Sequence, residues 1–327
     1  MSRSSAASGI VLYAKQPGMT SFASLFAVKR ALCTGKVGHT GTLDSFACGL
    51  LVVCAGSLTR FAGKITAFDK TYEAIISFGT QTDTLDPCGA VIKNAPLPSL
   101  RAVQDALKEH TGRIMQAPPA FSAVHVGGRR ASDLARSGRM PDIPARPVEV
   151  YSAELLDHAL ADGGVRYAHV RFSVSKGTYI RCLARDIASS CGSAAHLAGL
   201  FRTRVGGFCV EDAAGFSRLR PFSIASALGG PPVAERSAPY DDDFLSEIRG
   251  RTRAMSPALA QECGLVPLSL AECGAGRWYT GKPIRRGMFV QEAQADGSYA
   301  VFEADGRFAG VCTMCKGRLS YDFVVPR

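Results

Sequence analysis

The stretch Gly38-His39-Thr40-Gly41-Thr42-Leu43-Asp44-Ser45-Phe46-Ala47-Cys48-Gly49-Leu50 organises the chain. Its three glycines, at 38, 41 and 49, let a binding partner approach the backbone closely. The single acid, Asp44, has apolar neighbours, and the apolar run at residues 50–54 predicts a buried strand directly after the loop. Taken alone, Asp44 is compatible with a turn or a helix cap, positions that aspartate favours. A carboxylate on a glycine-rich loop beside a core strand can also be held rigidly and still reach a ligand.

The composition indicates a globular protein with a polyanionic partner. The chain has 327 residues, of which 46% are hydrophobic and 20% charged, so we expect two domains or one large domain with an appendage. Its 38 basic and 28 acidic residues give a net charge of +10, which favours an acidic partner such as nucleic acid. Two arginine-rich stretches, residues 129–146 and 176–206, are compatible with phosphate contacts or with ordinary solvated faces.

The cysteines and the hydropathy pattern argue against several classes of protein. Of eleven cysteines only Cys312 and Cys315 have a C-x-x-C spacing, and a structural zinc site would need a second pair. We therefore expect no metal, and mostly buried, reduced thiols in a cytoplasmic protein. No apolar run is long enough for a signal peptide or a membrane span, so no membrane partner is expected.

Periodicity and turn signals outline the elements around the loop. They predict strands at residues 10–13, 70–78, 148–156 and 165–174, the last two joined by a hairpin turn at 162–164. Helices are predicted at 98–110 and after Thr178, a candidate N-cap that places Arg181 in the first turn. A cation there is unfavourable beside the helix dipole, so Arg181 needs an acidic partner. The remaining expectations are a polar loop at 79–89, an irregular segment at 116–147, a linker with one or two short helices at 221–263, and a small β domain from 265.

The loop resembles the signature of the TruB family of pseudouridine synthases, G-H-T-G-[AT]-L-D-P-x-A-[TS]-G-[LM]-L. It departs from the family at Ser45, usually proline, and at Cys48, usually threonine or serine. Three further stretches also resemble that family, in the order in which it has them. They are K-P-x-G-x-[TS]-S at 15–21, with the proline one place late, S-K-G-T-Y-I-R at 175–181, and H-[LV]-x-x-L-R-R at 196–202, with phenylalanine for the first arginine.

The resemblance assigns roles that the residues alone leave open. It implies that Asp44 is the catalytic nucleophile, and that five further residues bind the substrate: His39, Tyr72, Tyr179, Arg181 and Leu200. Without the resemblance, Tyr72 would be read as an ordinary strand tyrosine and Arg181 as a surface helix residue. His39 would be read as a loop histidine whose ring nitrogens have hydrogen-bond partners. Asp44 must be ionised to act, and Arg181 is a natural counter-ion that would lower its pKa. The implied reaction requires neither metal nor small-molecule cofactor.

The resemblance also implies an architecture and a substrate. The fold would be α+β, a mixed and largely antiparallel sheet with flanking helices, followed by a small C-terminal PUA-like β domain. The catalytic domain would span residues 1–250, with an RNA-clamping insertion at roughly 118–146, and the PUA-like domain 264–327. The function would be isomerisation of uridine to pseudouridine at position 55 in the T-loop of tRNA, by a monomer that flips the base out of its stack. The alternative is a non-catalytic RNA-binding or RNA-folding protein on the same scaffold.

Overall fold

The computed structural model describes residues 8–122, 124–229, 240–285 and 287–326. Its first thirteen strands are, in chain order, β1 (Gly9–Lys15), β2 (Val37–His39), β3 (Cys48–Ala55), β4 (Lys70–Phe78), β5 (Thr80–Thr82), β6 (Val91–Asn94), β7 (Gly112–Gln116), β8 (His125–Val126), β9 (Arg129–Arg130), β10 (Arg146–Ala161), β11 (Gly164–Val174), β12 (Ala195–Val205) and β13 (Phe208–Cys209).

Nine of these strands form one large mixed sheet. Its order is β1-β3-β12-β4-β11-β10-β7, with β2 added to β3 and β13 added to β12. All its pairs are antiparallel except β3 with β12, which pair over only Phe201 with Cys48 and Arg202 with Gly49. This parallel contact begins where the loop at residues 38–47 ends, so the loop reaches the middle of the sheet.

The helices in the described residues are α1 (Ser21–Ala31), α2 (Ala62–Thr66), α3 (Leu100–Glu109), α4 (Ala131–Arg136), α5 (Ile180–Ser190), α6 (Ile224–Leu228), α7 (Asp242–Gly250), α8 (Pro257–Glu262) and α9 (Ala275–Tyr279). Short 3-10 turns occupy Gly56–Phe61, Val210–Asp212 and Phe216–Arg218. The Thr20 and Ser99 side chains accept hydrogen bonds from backbone N–H groups in the first turns of α1 and α3, which satisfies otherwise unpaired donors.

Alternation in the central strands creates the core that supports the site. In β4, Tyr72, Ala74, Ile76 and Phe78 share one face, because successive strand residues point to opposite sides. That face packs against the apolar faces of α3 and α5, which contribute Val103 and Leu107, and Ile180, Leu183 and Ile187. The predicted strand at 70–78 and the predicted helix at 98–110 are thereby confirmed, the helix with slightly shorter bounds.

The predicted hairpin between β10 and β11 is also confirmed. Its turn residues Asp162 and Gly163 have φ angles of 47° and 79°, the left-handed conformations that a tight two-residue hairpin turn requires. Both strands continue to the turn, so β10 has 16 residues and is longer than the sequence predicted. Register shifts along its length bend it and let it follow the twist of the sheet.

Four sequence expectations are corrected. Helix α5 is capped at Tyr179 without a side-chain hydrogen bond, because the Thr178 hydroxyl donates to the Ser175 carbonyl instead. The polar loop at 79–89 contains strand β5, which pairs with β6. The segment at 116–147 contains the β8–β9 hairpin and α4. The described parts of 221–263 hold three helices, while residues 230–239 of the predicted linker and residues 1–7 lie outside the described residues.

The C-terminal residues form the expected small sheet. Strands β14 (Val266–Ser269), β15 (Gly297–Phe302), β16 (Phe308–Cys315) and β17 (Arg318–Val324) lie in that order. Trp278 of α9 is fully buried against this sheet and donates its indole N–H to the Ala309 carbonyl at 2.9 Å. The sheet does not stand apart from the rest: Phe302 and Val311 belong to the same apolar cluster as residues of β1 and β3.

Candidate active site

The loop that carries Asp44 is held by side chains from the two segments beside it. The Ser21 hydroxyl, at the start of α1, donates to the Leu43 carbonyl at 3.0 Å and accepts from the Leu43 N–H at 2.8 Å. The Lys15 ammonium is fully buried and donates to the carbonyls of Ser45 and Ala47 at 3.3 and 2.5 Å. The residues on both sides of Asp44 are therefore fixed, which limits the movement of its carboxylate.

A second buried cation, Arg202 of β12, fixes the same loop from the sheet side. Its guanidinium donates to the Leu50 carbonyl at 2.8 Å and to the Gly41 carbonyl at 3.1 Å. The close approach of β12 depends on Gly49, whose φ is +104° and where an added Cβ would lie 2.4 Å from the Arg202 carbonyl oxygen. Glycine at this position is thus required by both the backbone conformation and the available space.

Asp44 faces Arg181. The sequence predicted that this arginine needs a partner, and the Asp44 carboxylate is that partner. Nε of Arg181 lies 3.0 Å from Oδ2 of Asp44, and Nη2 donates to Oδ1 at 3.1 Å. The guanidinium also donates to the carbonyls of Thr84 and Phe121, at 2.8 and 3.0 Å. Arg181 is only 5% exposed, so its orientation toward the carboxylate is set by these contacts. Three separate chain segments therefore meet at this one guanidinium.

A second carboxylate, Asp86, lies behind this pair. Its Oδ2 is 3.8 Å from Nη1 of Arg181, and its Oδ1 accepts from the Thr84 hydroxyl at 2.7 Å and from the Cys88 N–H at 3.0 Å. Asp86 thus shares the arginine with Asp44 and helps to orient it. The negative charge of Asp86 also affects the pKa of Asp44.

Burial raises the pKa of Asp44 above the usual value for an aspartate. The Arg181 charge lowers that pKa, as the sequence predicted, but it does not offset the burial, and the Asp86 charge raises the pKa further. Burial also lowers the pKa of the Lys15 ammonium to about 8, because burial disfavours the charged form of either group. The site therefore holds a carboxylate and an ammonium whose charged forms are both less favoured than in water.

A cavity of about 470 Å³ opens in front of Asp44, within the range of roughly 300–1,000 Å³ usual for ligand sites. Tyr72, Tyr179, Arg181 and Leu200 all line it with Asp44, so four of the five predicted substrate-binding residues converge there. Further basic side chains on its wall are Lys70, Arg130, Arg136 and Arg202. Among the described residues, Asp44 is the only carboxylate that lines this cavity, which suits a ligand that carries phosphate.

The two tyrosines enter the cavity from different elements. Tyr72 lies on β4, and among the described residues its hydroxyl has no hydrogen-bond partner. Tyr179 precedes α5, where its N–H donates to Oε1 of Gln116 at 2.8 Å and its carbonyl accepts from Nε2 at 3.2 Å. The Arg146 guanidinium lies 5.6 Å from the Tyr179 ring. Tyr72 is held by strand pairing, and Tyr179 by the bonds from its backbone to the Gln116 side chain, so both rings can line the cavity.

The fifth predicted residue, His39, does not line the cavity. It ends β2, two residues before Gly41, and its Nδ1 is buried without a hydrogen-bond partner in the described part of the chain. Burial and the nearby Arg202 charge lower the pKa of the ring, which favours the neutral imidazole. His39 is therefore next in sequence to the cavity residue Thr40 but is not itself part of the cavity wall.

Sequence reasoning missed four residues that shape the site: Lys15, Asp86, Gln116 and Arg202. Lys15 and Arg202 lie in stretches that resemble the family, whereas Asp86 and Gln116 lie outside those four stretches, and none of the four residues was given a role at the site. Lys15 and Arg202 are buried charges, and a charge is rarely buried without partners, but burial is not visible in sequence. The T-D-T-x-D stretch at 82–86 is the signal that could have identified Asp86.

The arrangement suits covalent chemistry by a carboxylate. Asp44 is half-buried, fixed by its neighbours and paired with one guanidinium, while tyrosine rings and basic groups line the space before it. Within the described residues, no three His, Cys, Asp or Glu side chains converge as a metal site would require. No helix in that part of the chain is long and apolar enough to cross a membrane.

Comparisons with known proteins agree with this geometry. Residues 29–180 match the family described as TruB family pseudouridylate synthase, N-terminal domain. A protein of Treponema denticola named tRNA pseudouridine synthase B is 43% identical over 86% of this chain and 85% of its own length. The protein of the same name in Treponema pallidum is 38% identical over 99% of both chains. The crystal structure of a Cbf5-Nop10-Gar1 complex matches 98% of this chain and 85% of that chain, with a TM-score of 0.64 and 21% identity, a likeness of fold alone.

Proposed function

Because the chain belongs to the TruB family of pseudouridylate synthases, we propose that it converts uridine to pseudouridine in tRNA with Asp44 as its nucleophile. The observation that carries the assignment of Asp44 is its pairing with the buried Arg181 at the wall of a basic, tyrosine-lined cavity. The pseudouridine synthase fold that the sequence predicted agrees with this membership and with the α+β architecture.

The reaction breaks the bond from ribose C1′ to uracil N1, turns the base, and joins C1′ to C5. Substrate and product have the same composition, so no oxidant or reductant is consumed. Asp44 forms a reversible covalent adduct that holds one fragment while the other turns, either at C1′ of the ribose or at C6 of the uracil. In both versions the adduct then breaks and the carboxylate is released. The proton originally on C5 is lost after the new carbon–carbon bond forms, and N1, which has lost its bond to C1′, gains a proton, so the composition is unchanged.

Each neighbouring residue has a role that its position supports. Arg181 orients the Asp44 carboxylate and opposes the rise of its pKa, which increases the ionised fraction. Tyr72 stacks on the flipped uracil, and its hydroxyl can receive or relay the C5 proton. Tyr179 and Leu200 complete the wall around the base. His39, which precedes the cavity residue Thr40, helps to hold the target base out of its stack.

The T-loop of tRNA, at position 55, is the proposed target. RNA loops offer unstacked bases at the lowest cost, and the basic side chains that line the cavity match a phosphate backbone. We further propose that the segment at 118–146 clamps the stem-loop, since Arg130 and Arg136 project from it onto the cavity. Residues 1–250 would form the catalytic domain and 264–327 a PUA-like domain. We further propose that the protein acts on tRNA as a monomer in the cytoplasm.

The test is to incubate the purified protein with an unmodified tRNA transcript and to map pseudouridine along it. We expect product at the T-loop from the wild-type protein and none from Asp44→Asn, whose amide has nearly the same shape but is a poor nucleophile. RNA binding by Asp44→Asn, measured by filter retention, should be preserved. If this variant kept even about a tenth of the wild-type rate, Asp44 would not be the nucleophile, since that loss is far too small.

The same experiment separates the enzyme from the alternative, a non-catalytic RNA-binding protein on this scaffold. A wild-type protein that binds tRNA and yields no pseudouridine at any position would favour the alternative. The paired Asp44 and Arg181 argue for the enzyme, because binding of RNA alone does not require a desolvated carboxylate in a basic cavity.

A further inference from the structure

Gln116, the last residue of β7, ties two distant elements together beside the active site. Its side chain is buried, with 1% of the residue exposed, and its amide bonds twice to the backbone of one residue, Tyr179. Oε1 accepts from the Tyr179 N–H at 2.8 Å, and Nε2 donates to the Tyr179 carbonyl at 3.2 Å. The position of Tyr179 is therefore set by a side chain from the edge strand of the large sheet.

The residue that Gln116 holds is the one at which helix α5 starts. Tyr179 is the N-cap of α5, and its own side chain makes no capping hydrogen bond. Its carbonyl accepts the first bond of the helix, from the Leu183 N–H at 3.0 Å, and the Gln116 amide binds this same carbonyl. Backbone groups at a helix start need partners from outside the helix, and Gln116 supplies one from the sheet. Gln116 thereby fixes the first turn of α5, which carries Arg181.

Gln116 also stands at the base of the segment at 118–146 that we propose to clamp RNA. It pairs with Arg146 in the large sheet, so the segment leaves and rejoins the sheet at this one pair. Arg146 in turn donates to the Gly177 carbonyl at 3.3 Å, and its guanidinium lies 5.6 Å from the Tyr179 ring. Both ends of the segment therefore contact the turn that leads into α5.

The same segment reaches the guanidinium of Arg181 directly. The Phe121 carbonyl accepts from Nη2 of Arg181 at 3.0 Å, and this nitrogen also donates to Oδ1 of Asp44 at 3.1 Å. Gln116 thus fixes the backbone of the turn that carries Arg181, and Phe121 helps to fix its charged group. The pairing of Asp44 with Arg181 depends on the base of the segment in both ways.

We propose that Gln116 is a positioning residue for the reaction, which holds Arg181 against Asp44 and joins the segment at 118–146 to this pair. Gln116 does not touch the reacting atoms, since it is not among the described residues that line the cavity. It acts through the backbone of Tyr179 instead. This inference deepens the proposed function and rests on it. The segment then has two tasks, because its far part holds the RNA and its base keeps the nucleophile paired with its counter-ion.

Two variants of Gln116 and one matched control test this role. Gln116→Met removes both hydrogen bonds and keeps an unbranched, flexible side chain of similar length. Gln116→Glu has nearly the same shape and keeps an oxygen that accepts from the Tyr179 N–H, so it still tests the proposal if Gln116→Met does not fold. The control is Ser193→Ala, which removes a buried hydrogen bond beyond the other end of α5. The Ser193 hydroxyl donates to the Pro96 carbonyl at 2.7 Å and lies away from the cavity.

The experiment measures tRNA affinity, the single-turnover rate of pseudouridine formation at saturating enzyme, and the dependence of that rate on pH. Gln116→Met should bind tRNA like the wild-type protein and lose about 10- to 100-fold in rate, because a small displacement of catalytic groups is enough for such a loss. Gln116→Glu should lose less, since it keeps one of the two bonds. Ser193→Ala should lower the midpoint of thermal unfolding and leave the rate unchanged.

The pH profile separates positioning from stability. Burial raises the pKa of Asp44, Arg181 and Lys15 lower it, and Asp86 raises it. Weaker pairing with Arg181 leaves the effect of burial less opposed, so the pKa of Asp44 should rise in Gln116→Met. The acid limb of the rate should then move to higher pH in this variant and stay in place in Ser193→Ala.

A wild-type rate and an unmoved acid limb in both Gln116 variants would overturn the proposal. An equal shift of the acid limb in Ser193→Ala would overturn it too, because the shift would then reflect loss of stability alone. Failure of the proposed function is a separate result. A wild-type protein that forms no pseudouridine would refute the reaction itself, whereas equal rates of pseudouridine formation in the wild-type protein and in Gln116→Met would refute only the positioning role.

Discussion

At the scale of the single residue, the chemistry depends on the charge of Asp44. Its carboxylate is stabilised by Arg181 and destabilised by burial and by Asp86, and the balance raises its pKa. A buried nucleophile is less solvated and hence more reactive, but only in its ionised form. The arginine between two carboxylates is therefore a positioning group that also opposes the loss of ionised Asp44 caused by burial.

The pH dependence of the reaction tests this balance. Since the pKa of Asp44 is raised, single-turnover rates should fall on acidification at a higher pH than an ordinary, solvated aspartate would give. Asp86→Asn removes a negative charge that raises this pKa, so the acid limb should shift to lower pH even if the maximal rate falls. Single-turnover rates of the two proteins, measured across the acidic and neutral range, check this shift. An acid limb that stays in place, or moves to higher pH, would contradict the assigned role of Asp86.

The role of Tyr72 is a second question at this scale. Tyr72→Phe keeps the ring and removes the hydroxyl, whereas Tyr72→Leu removes both. We expect Tyr72→Phe to lose on the order of 10²–10⁴-fold in turnover with binding intact, because the hydroxyl has no partner among the described residues and lines the cavity with Asp44. Near-normal turnover of Tyr72→Phe, with a loss of about 1–3 kcal/mol only in Tyr72→Leu, would instead make the residue a stacking surface.

At the scale of the element, the site is assembled from a core helix, a strand of the large sheet, and a hairpin with a short helix. Helix α5 supplies apolar residues to the core and presents Arg181 from its first turn. Strand β12 lies between β3 and β4 in the large sheet and carries both Leu200 and Arg202 to the loop. The short hairpin β8–β9 with α4 belongs to neither the large nor the small sheet and contributes Arg130, Ser132 and Arg136 to the cavity wall.

The function of this last element can be tested by its charge. Replacing Arg129, Arg130 and Arg136 together with alanine should weaken tRNA binding and reduce the slope of log affinity against log salt, by about one unit for each phosphate that the variant no longer binds. Replacing Arg101, Lys108 and Arg249, exposed residues of α3 and α7, removes the same charge elsewhere and serves as the control. Equal slopes in the wild-type protein and the first variant would show that the hairpin and α4 are an ordinary solvated surface.

At the scale of the whole molecule, the two sheets share one apolar core. Phe302 and Val311 of the small sheet pack in the same cluster as Phe61 and Ile65, next to the large sheet. Polar contacts cross the same boundary, since the Lys64 ammonium donates to the Ser298 hydroxyl at 2.5 Å and Arg60 donates to the Val324 carbonyl at 3.1 Å. The C-terminal β domain is thus a packed part of the molecule rather than a tethered module.

This shared core predicts cooperative unfolding. Calorimetry of the full chain should give a single transition, and Phe302→Ala should lower the midpoint of that transition as a whole, at a cost of about 3–5 kcal/mol. Asp305→Ala, at an exposed turn of the same sheet, is the control and should leave the midpoint nearly unchanged. Two separate transitions, of which only one responded to Phe302→Ala, would mean that the domains unfold independently.

The sequence predicted the central strands and their hairpin from local patterns, namely alternation in residues 70–78 and the turn at 162–164. The fold class and the catalytic role of the glycine-rich stretch around Asp44 were predicted from the resemblance of that stretch to a known family. The sequence also predicted that Arg181 needs a partner, from its place in the first turn of α5, and that Arg181 is the counter-ion of Asp44. Only the tertiary structure showed that Asp86 shares the guanidinium, since Asp86 is distant in the chain and reaches it through packing of separate elements. The raised pKa of Asp44 and the buried roles of Lys15 and Arg202 were likewise decided there. Burial is a property of the assembled core, which no local pattern contains.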